Sequence, residues 1–188
     1  MQDNSIDIKL IQDTLNGSEI AFENLYRRYS KYHLLTCLRY LKHRFDSEDA
    51  LQESYIKIYN DFNKFDVNKG SFNAWSTRIV INTCLQQLRK NKSGIEFIDI
   101  QDIASDIMID SDALQQINLK DLTKIISNLP NGYRTIFNMF IIDGYSHKEI
   151  AEKLNISIST SKSQLLRAKK QLKKNLINNR HEAIGIYA

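Results

Sequence analysis

The scarcity of chain breakers is the feature that most constrains this sequence. Its 188 residues include a single proline, Pro130, and six glycines, and neither type occurs between Gly17 and Gly70 or between Gly144 and Gly185. A chain that folds back through tight strand turns needs such residues every few positions, whereas long uninterrupted stretches suit helices. The expected fold class is therefore all-α.

Helical spacing of apolar residues locates the elements. From Ser18 to Phe45 the positions Phe22, Leu25, Tyr29, Tyr32, Leu34, Leu35, Leu38 and Leu41 predict one long helix, broken at most once, with Ser18 as its cap. Asp46 or Ser47 is the expected cap of a second helix reaching about Phe62, with Glu48 and Asp49 favoured by its dipole. The polar stretch Asn63 to Ser71 reads as a loop, and Phe72 to Lys90 as a third helix. Beyond an irregular segment, helical spacing resumes from Asp112 to Leu129. Pro130-Asn131-Gly132 then marks a turn, and Tyr133 to Ile142 an apolar helix ended by Asp143-Gly144.

Net charge of +4 says little until its distribution is seen. Six Lys/Arg and no acid lie between Asn24 and Phe45, six acids and no Lys/Arg between Ser93 and Ala113, and eight Lys/Arg and no acid between Lys153 and His181. A chain of this length buries one good core or two small ones. We therefore expect two small helical domains, residues 1–91 and 113–188, joined by an acidic connector at 92–112. Cys37 and Cys84 lack metal or redox spacing and sit in apolar helical patterns, which predicts two buried thiols in a reducing compartment. Asp3 and Asp7 stand where a signal peptide would be basic, and no run approaches the ~18 apolar residues that span a bilayer. A cytoplasmic protein without membrane insertion is expected.

The densest pattern lies near the end of the chain. Ser146 caps a short helix containing Ile150, Ala151 and Leu154, Asn155-Ile156-Ser157 turns the chain, and a second helix begins near Ser159. That is helix-turn-helix spacing, with the small Ala151 where the helices cross and Asn155 where the backbone turns left-handed. On the second helix, Ile158, Ser161, Leu165, Ala168 and Leu172 form the expected inward stripe. Thr160, Ser163, Arg167, Lys170 and Lys174 form the opposite face, combining groups that reach base edges with lysines suited to phosphates. A lysine-rich helix end is also what an ordinary solvated face looks like. The turn, the small residue, both stripes and the missing acids agree on DNA docking instead.

Two N-terminal helix faces are candidates as well. On Phe72 to Lys90 the expected buried arc is Ala74, Thr77, Ile81, Cys84, Leu85 and Leu88, leaving Trp75, Arg78, Asn82, Gln86 and Arg89 together. An aromatic, cationic and amide face suits single-stranded DNA, although Trp75 reads equally as core packing. On the preceding helix Leu51, Tyr55, Ile58 and Phe62 turn inward, leaving Asp49, Gln52, Glu53, Ile56 and Lys57 outside. Ile56 among polar groups fits either a protein docking surface or an isolated exposed side chain.

An enzyme is not expected. His33, His43, His147 and His181 form no metal spacing, neither GxxxxGK[ST] nor GxSxG occurs, and the connector's carboxylates sit in an isoleucine-rich stretch better suited to docking or solubility. No cofactor or metal is called for.

Three ordered segments, SEDALQESYIKIY, GSFNAWSTRIVINTCLQQLRK and LPNGYRTIFNMFIIDGYSHKEIAEKLNISISTSKSQLLRAKKQL, resemble the extracytoplasmic-function (ECF, group 4) sigma factors of the sigma-70 family over roughly Ser18 to Leu176. The resemblance implies a promoter-specificity subunit with a sigma-2 domain, a connector reaching toward the polymerase active-site channel, and a sigma-4 domain. Implied partners are core RNA polymerase, promoter DNA as duplex and melted strand, and an anti-sigma factor. Asp49, Gln52 and Glu53, with Ile56 beside them, would dock the polymerase clamp coiled coil. Asn82, with Trp75, Arg78 and Arg89 and the loop from Lys64 to Ser71, would handle the melted minus-ten element. Lys162, Ser163 and Arg167, flanked by Thr160 and Lys170, would face the minus-thirty-five element. Gln86, Ser161 and Gln164 depart from the family pattern, which commonly has Asp, Val and Arg there. Ser161 is expected to weaken the buried stripe, and Gln164 to weaken phosphate attraction. The competing expectation is a helix-turn-helix regulator that binds duplex DNA without polymerase.

Overall fold

The computed structural model describes residues 2–90 and 126–185, with side chains from 7 to 90 and from 126 to 175. All regular structure among the described residues is helical. The chain divides into two compact units, Met1–Lys92 and Ser93–Ala188. The acidic connector and nearly all of the helix expected from Asp112 lie outside the described residues.

The first unit contains α1 (Gln2–Leu15), α2 (Glu19–Leu41), α3 (Arg44–Asn60) and α4 (Phe72–Lys90). Helices α2, α3 and α4 pack against one another, and α1 lies along α2. The first helix, which buries Ile11, is absent from the sequence expectations. It is also held through Asp7, which pairs with Arg28 at 2.9 Å and accepts a hydrogen bond from the Tyr29 hydroxyl. Ser18 caps α2 by accepting from the Ala21 amide at 3.2 Å, as expected.

Helix α3 starts earlier than expected. Lys42 takes a positive φ of 67° and the helix begins at Arg44, so that neither Asp46 nor Ser47 is its cap. The Ser47 hydroxyl, buried, donates back to the His43 carbonyl at 2.8 Å. An Arg44 to Glu48 ion pair at 2.7 Å spans the first turn. Leu51, Tyr55 and Ile58 are buried along α3, and Phe62 just beyond its end, as the spacing predicts.

At the centre of this unit sits His33, fully buried between Tyr55, whose hydroxyl is 2.8 Å from Nδ1, and Ser76, whose Oγ is 3.2 Å from Nε2. A neutral imidazole accepts at one nitrogen and donates at the other, so the two hydroxyls satisfy it. Burial pushes its pKa down to about 4. The imidazole thus ties α2 to both α3 and α4.

In the second unit, α5 (Asn131–Phe137) runs directly into a π-helical turn, Asn138–Ile142, followed by α6 (His147–Leu154) and α7 (Ile158–Gly185). Pro130 stands at the cap position, so Asn131 and Gly132 open α5 instead of forming the expected turn. Arg134 holds that start: its guanidinium, 1% exposed, donates to the Leu129 carbonyl and to Asn131 Oδ1, both at 2.8 Å. The π-helical widening, marked by Asp143 N–H to Asn138 C=O at 2.9 Å, was not visible in the spacing.

Candidate functional site

The outer face of α3 is built by the apolar inner face beneath it. Asp49 and Gln52 are exposed, and Ile56 is 63% exposed between them and the helix end. Glu53 is partly covered and pairs with Lys57 at 2.7 Å, which holds its carboxyl below the usual range. Lys57 Nζ reaches on to Gln86 Oε1 at 2.8 Å and Thr83 Oγ1 at 3.3 Å, joining α3 to α4. Gln86, where the resemblance leads to an acid, therefore serves as a hydrogen-bond acceptor for Lys57.

Two residues on this face escaped the sequence reading. Phe45 is 73% exposed and Tyr59 is half exposed, and with Asp49, Gln52 and Ile56 they fall at i, i+4, i+7, i+11 and i+14. The same periodicity that found the inner stripe could have found this one. It was overlooked because Phe45 was assigned to the end of the preceding helix.

Helix α4 presents Arg78, Asn82, Gln86 and Arg89 on its exposed side. Ile81, Cys84, Leu85 and Leu88 are buried as expected, but Ala74 is exposed while Phe72, Ser76, Val80 and Thr83 are buried. The arc is rotated because Phe72 plugs the core at the helix start and Ser76 meets His33 four residues later. Trp75 packs as one of its readings expects, and it also stays partly open. It is half-buried, with its ring 5.3 Å from Phe65, 5.9 Å from Phe72 and 6.2 Å from Phe62. Three phenylalanines thus fix the indole while part of it meets solvent.

The loop before α4 is ordered by short-range bonds. Asp66 accepts from the Asn68 amide at 3.0 Å, Phe65 is buried as its anchor, and Gly70 takes a φ of 149° that other residues rarely adopt. Ser71 then caps α4 through the Ala74 amide at 3.2 Å. The loop is held beside Trp75 as a result.

In the second unit the helix-turn-helix is formed as the spacing requires. Ser146 and Glu149 make a reciprocal capping box, Asn155 turns left-handed at φ 54° and ψ 51°, and Ala151 is buried at the crossing. Ser157 caps α7 by accepting from the Thr160 amide at 2.9 Å.

On α7, Lys162, Lys170 and Lys174 are exposed and Ser163 and Arg167 half-exposed, which forms one polar, cationic side. Thr160 is not on it: at 5% exposure its hydroxyl lies 2.7 Å from Ser157 Oγ, drawn into the cap at the helix start. Ile158 is exposed, not inward, because it precedes the turn that packs. Leu165, Ala168 and Leu172 are buried, while Ser161 and Gln164 are fully buried polar residues. Gln164 is therefore not part of any phosphate-facing side. Ser161 does not merely weaken the stripe, since its Oγ lies 2.9 Å from His147 Nδ1.

Among the described residues no cluster of His, Cys, Asp or Glu is arranged to hold a metal, and no helix is long and apolar enough to cross a membrane. Cys37 and Cys84 are both free and buried.

Comparison with known proteins finds two family models, described as sigma-70 region 2 over residues 25–94 and sigma-70 region 4 over residues 119–172. The chain is 30% identical over 179 residues to the ECF RNA polymerase sigma factor SigW of Bacillus subtilis, covering 89% of this chain and 95% of SigW. It is 26% identical to the ECF RNA polymerase sigma-E factor of Escherichia coli, covering 92% and 95%. Among solved structures, its fold is similar to the sigma factor RpoE in complex with the anti-sigma factor NepR from Bartonella quintana. That match has a TM-score of 0.52 and 19% identity, covering 84% of this chain and 96% of that one.

Proposed function

The chain belongs to the sigma-70 family as an ECF sigma factor, and from that premise we propose that it binds core RNA polymerase and directs promoter-specific initiation of transcription under the control of an anti-sigma factor. The observation that carries this reading is the pairing, in one chain, of a helix-turn-helix unit with a second helical unit whose exposed side combines Trp75, Arg78 and Asn82. A regulator that works on duplex DNA alone has no use for the latter, and the region 2 match over residues 25–94 sets that alternative aside.

The roles follow from what each exposed face can do. Asp49, Gln52, Glu53 and Ile56, extended by Phe45 and Tyr59, form a mixed apolar and acidic surface suited to docking the polymerase. Trp75, Arg78, Asn82 and Arg89 meet the melted minus-ten strand, the indole stacking a base and the cations meeting phosphates. Lys162, Ser163, Arg167 and Lys170 face the minus-thirty-five duplex, Ser163 and Arg167 reaching bases and the lysines phosphates. Thr160 serves the helix cap. Residues 1–91 form the melting and docking domain, 92–112 the connector and 113–188 the duplex-reading domain.

The protein is a transcription initiation factor that works in the cytoplasm and is not itself an enzyme. The test is size-exclusion co-elution of the purified chain with sigma-free bacterial core RNA polymerase. Co-elution supports the reading; tight duplex binding without it returns the chain to the class of stand-alone regulators.

A further inference from the structure

The seating of α7 changes character along its length. From Leu165 onward its buried side is apolar, through Leu165, Ala168 and Leu172. Its first two turns, which carry Lys162 and Ser163, are seated through the polar residues Thr160, Ser161 and Gln164. An apolar contact tolerates sliding, whereas a hydrogen bond fixes both distance and direction.

The Ser161 contact reaches the furthest. Its partner His147 is the first residue of α6, and the imidazole stacks on Phe140 of the π-helical turn with centroids 4.3 Å apart and planes 24° from parallel. The ring is therefore clamped from one side by an aromatic face and tied at Nδ1 to α7. Rotating α7 about its axis would break that bond before disturbing the apolar contacts further along.

We propose that the His147 and Ser161 pair is a positioning element that sets the rotation of α7 on promoter duplex, acting through Ser161 on the adjacent Lys162 and Ser163. The inference rests on the reading of α7 as the duplex-facing helix. Both residues act from behind the exposed side: Ser161 is fully buried, and His147 is held at Nδ1 by Ser161 and across one ring face by Phe140.

Charge adds a signature that simple packing lacks. The His147 pKa is lowered by burial, and further by Lys162 and Lys169 of α7. On its own helix Lys148 and Glu149 follow, the Glu149 carboxylate being engaged in the capping box, and Asp143 closes the π-helical turn. Duplex phosphates near Lys162 offset the lysine field, so protonation of His147 is easier in the complex than in the free protein. The pKa is thus higher in the bound state, and binding tightens as pH falls through it.

The experiment uses the full chain bound to bacterial core RNA polymerase, with a duplex that the wild-type complex selects from a randomised pool and a scrambled duplex as reference. His147→Ala and Ser161→Ala are each expected to lower the ratio of selected to scrambled affinity about five- to tenfold, the scale of one hydrogen bond. The double variant should lose no more than either single one, and His147→Asn should recover most of the ratio. Wild-type affinity for either duplex should rise by about threefold as pH is lowered from 8 to 6, since both carry the phosphates, with His147→Asn flat. Ser161→Val tests the hydroxyl with a larger side chain where Ser161→Ala tests it with a smaller one, and an unchanged thermal midpoint shows that the fold is kept. Wild-type selectivity in Ser161→Val, equal losses on both duplexes, singles that multiply in the double variant, or parallel pH profiles would each overturn the proposal. A complex that forms but selects no duplex overturns both the proposal and the duplex-reading role beneath it, a failure distinct from any of these.

Discussion

The inner side of α4 and the inner side of α7 solve the same problem differently. Each helix presents cations and amides outward, and each must be held at a fixed rotation. Helix α4 is fixed mainly by apolar residues, Phe72, Val80, Ile81, Leu85 and Leu88, with Ser76 on His33 and Thr83 as polar exceptions. Helix α7 is fixed by apolar residues only from Leu165 on, its leading turns resting on Thr160, Ser161 and Gln164. A core-seated face should tolerate changes on its outside and respond to pH through its buried histidine. A polar-seated face should lose selectivity when buried hydroxyls are altered.

The largest effect expected is on the first of these. His33 is neutral when folded, with a pKa of about 4 against about 6.5 in an unfolded chain, so the unfolded state takes up the proton first as pH falls. Its contribution is complete above pH 6.5 and is lost between there and pH 4, about 3 kcal/mol in all. Denaturant unfolding of the wild type across that range should show the loss, and His33→Gln should flatten it. A flat wild-type profile would break the assignment of His33 as the polar hub.

Next in size, Asp49→Arg on the outer face of α3 should weaken core polymerase binding by about 2 kcal/mol or more. The same variant should leave stability within about 0.5 kcal/mol, as surface changes do. Undiminished co-elution with polymerase would remove this face from the docking surface, and a lower unfolding midpoint would show that it is not merely an outer face.

On the other helix, Arg167→Ala should cost about 1 to 3 kcal/mol on the selected promoter duplex with polymerase present, if a base is its target. Equal loss on unrelated duplex would reassign Arg167 to phosphate. The smallest effect sharpens the comparison most. Thr160→Val should lower the thermal midpoint through about 1 kcal/mol for the lost hydroxyl bond to Ser157, without changing which duplex is preferred. A changed preference would return Thr160 to the reading face.

These contrasts explain what was legible beforehand. The inner stripe of α3, the caps at Ser18 and Ser146 and the left-handed Asn155 all follow from local rules, and each is found where the sequence predicts it. The start of α3 was misread because Ser47 is a good cap by type, yet its hydroxyl bonds back to His43 within the helix. Helix α1, held both by buried Ile11 and by the Asp7 pair with Arg28, was not among the expected helices. Thr160 was placed outward by counting residues, a rule that fails at a helix start where the cap competes for the side chain.

The sequence by itself determined that this protein is helical, where most of its helices lie and which sides of them carry charge, because breaker content, periodicity and capping act over a few residues at a time. It also carried, in three ordered segments, the resemblance to ECF sigma factors. Only the tertiary structure decided that Trp75 is both packed and partly open, and that His147 meets the buried Ser161 at the front of α7. Trp75 depends on phenylalanines brought in by the preceding loop and His147 on a serine 14 residues away in the next helix, and such contacts leave no period to count.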